Sequence, residues 1–211
     1  MINAERVITL APHTDDGEFG CGATLAKLIE IGIEVHYVAF SICEASVPNG
    51  FPKDILATEV REATHTLGIP SDCLLVHRYP VRYFPQHRQD ILETLVHLNR
   101  KIEPDLVFIP SSDDIHQDHQ VVSQEGIRAF KHASILGYEM AWNNFSFIAS
   151  AFVHLEKQHV DKKIAALKKY ESQQHRIYAD EGFIRSLARV RGAQASVEYA
   201  EAFEVIRWVI S

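Results

Sequence analysis

Residues 6–16 read RVITLAPHTDD, and this stretch decides the fold. Its first part, residues 6–12, is an apolar run rich in β-branched residues, which predicts a buried strand. A polar turn and a glycine-rich segment at 17–22 follow, and the apolar spacing over 23–29 then predicts a helix. A buried strand that leads directly into a helix is typical of the first unit of a parallel α/β sheet.

The same alternation continues along the chain. Further strands are predicted at residues 34–40, 74–77 and 106–109, and helices at 55–67, 88–102 and 121–131. After residue 135 the pattern predicts short strands at 135–140 and 145–151, a helix at 160–173, and a final helix and strand that end at 208–210. We therefore predict a single domain over residues 1–211 with a three-layer αβα, Rossmann-like fold, in which helices cover both faces of a mostly parallel sheet.

Composition excludes several classes of function. The chain has 211 residues, 46% hydrophobic and 23% charged, which are the proportions of a globular protein and not of a disordered one. A net charge of −7 without a basic run argues against nucleic-acid binding, and no apolar stretch is long enough to span a membrane. Three scattered cysteines and the lack of a signal-peptide core predict a cytoplasmic protein. The sequence does not indicate the oligomeric state, so a homo-oligomer stays open.

Two clusters of polar side chains each follow a predicted buried strand. The first is HTDD at residues 13–16, and the second is DIHQDH at 114–119. Ligands of open α/β sheets bind outside the carboxyl ends of the strands, so the two loops are expected to meet in one crevice. Imidazole and carboxylate ligands with an open position are typical of catalytic zinc, although such a set also accepts Fe²⁺ or Co²⁺. The alternative for the second cluster is a helix N-terminus capped by Asp113 or Asp114.

These clusters resemble the two motifs of the PIG-L/LmbE family of zinc-dependent N-deacetylases. The family's AHPDD reads APHTDD here at residues 11–16, and its HxDH reads HQDH at 116–119. The resemblance covers nearly the whole chain, through the segments at 17–24, 59–68, 170–173 and 191–203. Thr14 replaces the usual proline but leaves the His–x–Asp–Asp spacing intact, and Leu56 stands where an arginine is often found.

The resemblance implies a reaction and a role for each motif residue. The implied metal ligands are His13, Asp16 and His119. Asp15 would be the general base, and His116 would stabilise or protonate the reacting group. The implied reaction is attack of metal-activated water on the amide of an N-acylated amino sugar or sugar conjugate, which releases the acyl group, most often acetyl. Asp114 or Asp118 is a candidate to orient an imidazole.

Other functions fit the residues less well. The GxxGxG at 17–22 is not the GxGxxG of a dinucleotide loop, and the acidic residues before it would repel a pyrophosphate, which disfavours a non-catalytic nucleotide-binding module. The chain has no GxSxG elbow for a serine nucleophile. A metal-binding scaffold without activity would need neither Asp15 nor His116. A metalloamidohydrolase that acts on a non-sugar N-acyl substrate stays open, because only the resemblance points to a sugar.

Residues outside the motifs leave substrate recognition open. Arg82, Arg88 and Arg191 could bind an anionic substrate such as a nucleotide sugar, or could pair with surface carboxylates. Trp142 and Asn143 combine an aromatic ring with an amide, which suits a sugar but also marks a turn. Most of the remaining histidines have no converging partner and are predicted to be structural.

Overall fold

The structure, a computed structural model, describes residues 4–210 of the chain. A seven-stranded sheet forms the centre of this part. Its strands are β1 (Arg6–His13), β2 (Glu34–Ser41), β3 (Leu74–Val76), β4 (Leu106–Pro110), β5 (Ser134–Tyr138), β6 (Ala151–Leu155) and β7 (Tyr199–Arg207). They lie in the order β3-β2-β1-β4-β5-β7-β6. Strands β1 to β5 are parallel to one another, whereas β7 runs antiparallel to both of its neighbours, β5 and β6. The sheet is therefore mostly parallel, as predicted.

Helices cover both faces of this sheet. They are α1 (Asp16–Glu30), α2 (Ile55–Leu67), α3 (Arg88–Ile102), α4 (Gln117–Ala129), α5 (Lys157–Leu167) and α6 (Glu181–Gln194). One apolar core lies between the sheet and α1, α2, α5 and α6, and a second lies between the sheet and α3 and α4. This arrangement confirms the predicted three-layer αβα fold. None of the helices in residues 4–210 is long and apolar enough to cross a membrane.

The glycines after β1 allow α1 to pack closely against the sheet. A Cβ atom on Gly17 would lie 2.5 Å from Cε2 of Tyr37, and one on Gly20 would overlap the ring of Tyr138. Contacts this close are not tolerated, so any larger residue would push α1 away from β2 and β5. Close packing therefore accounts for both glycines without a bound nucleotide.

Two elements in the later part of the chain differ from their predicted bounds. The predicted strand at 145–151 is wrong, because Phe145 is 89% exposed and the strand that pairs with β7 is Ala151–Leu155. The predicted helix at 160–173 begins earlier, at Lys157, because Glu156 and His159 form a reciprocal capping box there. It also ends earlier, at Leu167, and a short 3-10 helix follows at Glu171–Gln173.

Candidate active site

The two predicted clusters meet because β1 and β4 are neighbours in the sheet. Val7 pairs with Leu106 and Thr9 with Phe108 in a parallel register, so both strands end at the same edge. His13 is the last residue of β1, and the segment after β4 leads into α4. The polar residues of both loops therefore point into one crevice at the carboxyl edge of the sheet.

Helix α4 begins at Gln117, four residues before its predicted start. Its cap is His116, whose Nδ1 accepts a hydrogen bond from the backbone N–H of Asp118 at 3.2 Å. The alternative of a helix capped by Asp113 or Asp114 is therefore not what the structure shows. Asp114 instead accepts a hydrogen bond from the backbone N–H of His116 at 2.8 Å, and so fixes the turn before the helix.

Three donor atoms form a small triangle at the floor of the crevice. Asp16 Oδ2 lies 3.2 Å from His13 Nδ1 and 3.1 Å from His119 Nε2, and the two nitrogens are 3.2 Å apart. Ligand atoms of a tetrahedral zinc ion, with bonds of 2.0–2.2 Å, lie about 3.4 Å from one another. The triangle thus matches three corners of such a site. His116 gives a looser alternative, with a ring nitrogen within 4.8 Å of those of His13 and His119.

Buried carboxylates hold both imidazoles of the triangle from behind. His13 Nε2 donates to Asp118 Oδ2 at 3.0 Å, and His119 Nδ1 donates to Asp114 Oδ2 at 2.7 Å. Both carboxylates are almost fully buried. Each ring therefore has one nitrogen fixed by a carboxylate and the other directed at the triangle, which is the usual arrangement around metal-binding histidines. The sequence left open whether Asp114 or Asp118 orients an imidazole, and in the structure each contacts one.

The charges of this cluster favour a bound cation. Burial alone would lower the pKa of His119, but the carboxylates of Asp16 and Asp114 raise it to about 10. Burial would raise the pKa of Asp16, yet the charges of His119 and His13 outweigh burial and keep it below its usual range. Three carboxylates thus surround two imidazoles, and protons on the rings compensate the negative charge. A divalent cation would replace those protons on binding.

Asp15 faces the crevice from the turn between β1 and α1. The carbonyl oxygen of Thr14 accepts hydrogen bonds from the hydroxyl of Tyr37 at 2.8 Å and from that of Tyr170 at 2.7 Å. Burial, and then the neighbouring charge of Asp16, raise the pKa of Asp15 to about 6. The adjacent carboxylates therefore occupy different environments, since Asp16 belongs to the triangle while Asp15 lines the open space above it.

That space is a cavity of about 390 Å³ whose walls come largely from outside the two motifs. Trp142 and Asn143 line it, as does Leu56 at the position where the family often has an arginine. Tyr178 stacks on Trp142, with ring centroids 3.7 Å apart and an interplanar angle of 9°. Sequence reasoning missed Tyr178, because it lies in an irregular segment without periodic spacing.

The YESQ segment at 170–173 reaches the cavity through a long-range contact. The buried carboxylate of Glu59 accepts hydrogen bonds from the backbone N–H of Ser172 at 2.9 Å and from its hydroxyl at 2.6 Å. Gln173, the next residue, lines the cavity. Both Glu59 and this segment belong to the resemblance found in the sequence, and the structure brings them into contact.

The arginines singled out in the sequence have different environments. Arg88 pairs with the buried carboxylate of Glu125. Arg191 binds Glu139 through two hydrogen bonds of 2.9 and 2.5 Å, outside the walls of the cavity. Arg82 lines the cavity, and so does Arg176, which the sequence reasoning did not consider. Of the three expected candidates, the structure therefore places one beside the motif residues.

Comparison with known families identifies the chain. The sequence model of the PIG-L family, described as GlcNAc-PI de-N-acetylase, matches residues 8–130, which is more than half of the chain and includes both motifs. The chain belongs to the PIG-L family. This confirms the resemblance carried by APHTDD and HQDH, and it places the chain in a family of deacetylases.

Relatives of this PIG-L protein include a bacterial deacetylase and several solved structures. An uncharacterized deacetylase of Escherichia coli K12, YaiS, is 29% identical over 171 residues, which are 79% of this chain and 90% of the relative. The conserved protein TT1542 of Thermus thermophilus is 26% identical, with a TM-score of 0.81 over 99% of this chain and 97% of that one. The N,N'-diacetylchitobiose deacetylase of Pyrococcus horikoshii is 22% identical, with a TM-score of 0.80 over 97% and 84%.

The same fold also carries other chemistry. GalB of Pseudomonas putida KT2440, a 4-carboxy-2-hydroxymuconate hydratase, is 19% identical, with a TM-score of 0.79 over 98% of each chain. At these identities the likeness of the hydratase and of the chitobiose deacetylase to this chain shows the fold alone. The reaction must therefore be argued from the side chains of the site.

Proposed function

We propose that this PIG-L family protein is a metal-dependent N-deacetylase that releases an acetyl or other acyl group from the nitrogen of an amino sugar or sugar conjugate. The observation that carries the proposal is the triangle of Asp16, His13 and His119, with sides of 3.1–3.2 Å, below a cavity that Asp15 lines. The family description, GlcNAc-PI de-N-acetylase, supports a sugar substrate. Because all three cysteines are free and buried, we place the reaction in a reducing cytoplasm.

The donor set fits a divalent cation, with zinc as the first choice. His13, Asp16 and His119 would hold the ion, since two imidazoles and one carboxylate with an open fourth position are typical of catalytic zinc. The same donors also accept Fe²⁺ or Co²⁺. When bound, the cation would polarise the acyl carbonyl and make a nearby water molecule more acidic.

Asp15 fits the role of general base. Its carboxylate would take a proton from the attacking water while the water oxygen forms a bond to the carbonyl carbon. The same proton would then pass to the amide nitrogen as the carbon–nitrogen bond breaks, which leaves a carboxylic acid and a free amine. The acid, which keeps the second proton of the water, then loses it to solvent and becomes a carboxylate. Burial and the charge of Asp16 raise the pKa of Asp15, which makes its carboxylate a better proton acceptor.

His116 fits the role of a hydrogen-bond donor to the acyl oxygen. Its Nδ1 accepts the backbone N–H of Asp118, so the neutral ring carries its proton on Nε2. Burial, followed by the charges of His13 and His119, lowers the pKa of His116 to about 4, so the ring is neutral at pH 7. A neutral donor stabilises the negative charge that develops on the oxygen. Of the two roles predicted for His116, stabilisation is therefore favoured over protonation.

An acetate-release assay tests the proposed function. The purified protein would be incubated with N-acetylglucosamine, N,N'-diacetylchitobiose and a non-sugar N-acetyl amino acid, and its metal content measured by elemental analysis. We expect equimolar acetate and amine from at least one sugar, loss of the activity with a chelator, and its return on addition of zinc. A fully loaded protein that releases no acetate from any of them, or that adds water to an unsaturated acid as the hydratase does, would contradict the proposal.

A further inference from the structure

Two arginines line the cavity without forming an ion pair to a carboxylate within the described residues 4–210. A guanidinium nitrogen of Arg82 donates to the hydroxyl of Ser46 at 3.0 Å, and Nε of Arg176 donates to Oε1 of Gln173 at 2.7 Å. Both of these partners are neutral, and both also line the cavity. Each arginine therefore keeps its full positive charge and has further N–H donors for a bound molecule.

The acidic residues that line the same cavity do not remove this charge. They are Asp15 and Asp16, and Asp16 is committed to the two imidazoles of the triangle. Arg176 is close enough to lower the pKa of Asp15, but burial and Asp16 outweigh this effect. The two guanidinium groups are therefore the positively charged side chains on the cavity wall, where they would attract an anion.

The backbone of Arg82 is strained in a way that fixes its position. Its φ angle is +72°, in the left-handed region that residues other than glycine rarely adopt. The strained peptide donates its N–H to Asp118 Oδ2 at 2.7 Å, and this same carboxylate binds His13. Strain of this kind persists where the surrounding contacts impose it, most often at functional sites. The backbone at Arg82 is thus joined through one carboxylate to the proposed metal site.

An aromatic wall lies beside the second arginine. The guanidinium carbon of Arg176 is 5.7 Å from the ring centroid of Tyr178, which stacks on Trp142. Stacked aromatic rings offer an apolar face for a sugar ring, and guanidinium groups bind phosphate or carboxylate through paired hydrogen bonds. The cavity therefore combines the motif residues at its base, the stacked rings of Trp142 and Tyr178 on one side, and two arginines that have no carboxylate partner among the described residues.

We infer that Arg82 and Arg176 form a subsite for an anionic group, a phosphate or a carboxylate, carried by the N-acylated substrate. The inference rests on the proposed function, because it names the class of substrate for the same site: an N-acyl amino sugar with an attached anion. Arg88 and Arg191, which already pair with Glu125 and Glu139, have no such role.

A comparison of matched substrates tests the subsite. Arg82→Asn removes the charge and keeps a residue that tolerates a positive φ, and Arg176→Gln removes the second charge. The control is Arg78→Gln, because Arg78 is exposed, pairs with Glu44 at 2.6 Å and lies outside the walls of the cavity. Each variant would be assayed with N-acetylglucosamine, its 6-phosphate and N-acetylmuramic acid, which distinguishes a phosphate from a carboxylate.

We expect each cavity variant to lose roughly ten- to hundredfold in kcat/KM on the preferred anionic substrate and far less on the neutral one. The control should leave the ratio between the two substrates unchanged. Equal losses on the anionic and neutral substrates in both cavity variants would assign the arginines a structural role and overturn the subsite.

A binding measurement separates this inference from the proposed function. Calorimetric titration of the metal-loaded protein with inorganic phosphate requires no catalysis. We expect both cavity variants to bind phosphate roughly tenfold or more weakly than the wild type and the Arg78→Gln control. If no acetate is released but this pattern holds, the proposed reaction fails and the anion subsite stands. If phosphate affinity is the same in all four proteins, phosphate binds elsewhere, on the cation for example, and the subsite is overturned.

Discussion

Two of the regions that line the cavity differ in how their side chains are held. The first, the strand-end region, comprises residues 13–16 after β1 and 114–119 after β4, and carboxylate–imidazole hydrogen bonds connect its side chains. The second, the wall region, comprises residues 142–143 after β5 and 173–178 after α5, and its main contact in the cavity is the stacking of Trp142 on Tyr178. The comparison separates side chains that are fixed at the ends of sheet strands from side chains that loops carry.

This difference predicts separable effects of substitution. In the strand-end region both nitrogens of each triangle imidazole have a partner, so a lost group leaves others unpaired and disturbs the proposed metal site. In the wall region aromatic and guanidinium groups are directed at open space, so a lost group should weaken substrate binding without disturbing the metal. The following predictions test that separation.

The largest effect is expected for His119→Ala. Loss of one of three donors should leave much less than one metal ion per chain after gel filtration and reduce acetate release to background. Elemental analysis and the acetate assay check this, with His132→Ala as the control, since His132 is an exposed histidine that lies outside the walls of the cavity. Full metal occupancy in His119→Ala would remove this residue from the ligand set, and would exclude both the triangle and the looser set of His13, His116 and His119.

A smaller effect is expected for the carboxylates behind the imidazoles. Asp114→Asn and Asp118→Asn should each weaken metal affinity by roughly 10–100-fold, because the neutral amide no longer supports the charge of the ring. Competition with a chelating dye measures the affinity. Asp113→Asn is the matched control, since Asp113 is exposed and bonds only to the hydroxyl of Ser146 at 3.1 Å. If Asp113→Asn and Asp114→Asn behave alike, the contact with His119 has no role in metal binding.

The smallest effect is expected in the wall region. Trp142→Ala removes the stack with Tyr178 and should raise KM about 2–10-fold, with metal content and kcat nearly unchanged. Trp208→Ala is the control, because Trp208 is 51% exposed and lies outside the cavity walls. Steady-state kinetics on the best sugar substrate provide the measurement. A fall in kcat at constant KM would mean that the wall region takes part in the chemistry. It would contradict the proposed separation between the strand-end region and the wall region.

The strand-end region could be predicted from sequence because its signals are local. The spacing of apolar residues gave the bounds of α2 and α3 as the structure has them, and buried strands placed HTDD and HQDH at one sheet edge. The start of α4 was misplaced by four residues, because a histidine is an unusual cap.

The wall region could not be predicted because its signals are long-range. Strand β6 exists through pairing with β7, whose residues come about fifty positions later, whereas the neighbouring apolar segment at 145–150 stays outside the sheet. Gln173 reaches the cavity because Glu59, 113 positions before Ser172, holds the backbone there. Whether an arginine pairs with a carboxylate or faces a cavity depends on contacts of the same kind, as Arg88 and Arg82 show.

The adjacent carboxylates test the account most directly, because they share one turn and are assigned different roles. Metal content and kcat would be measured for Asp15→Asn and Asp16→Asn. We predict that Asp15→Asn keeps one metal ion per chain and loses about 10²–10⁴-fold in kcat, since the amide cannot accept a proton. Asp16→Asn should lose the metal, and excess zinc should restore part of the activity. The account would be contradicted if Asp15→Asn lost the metal while Asp16→Asn kept both metal and activity.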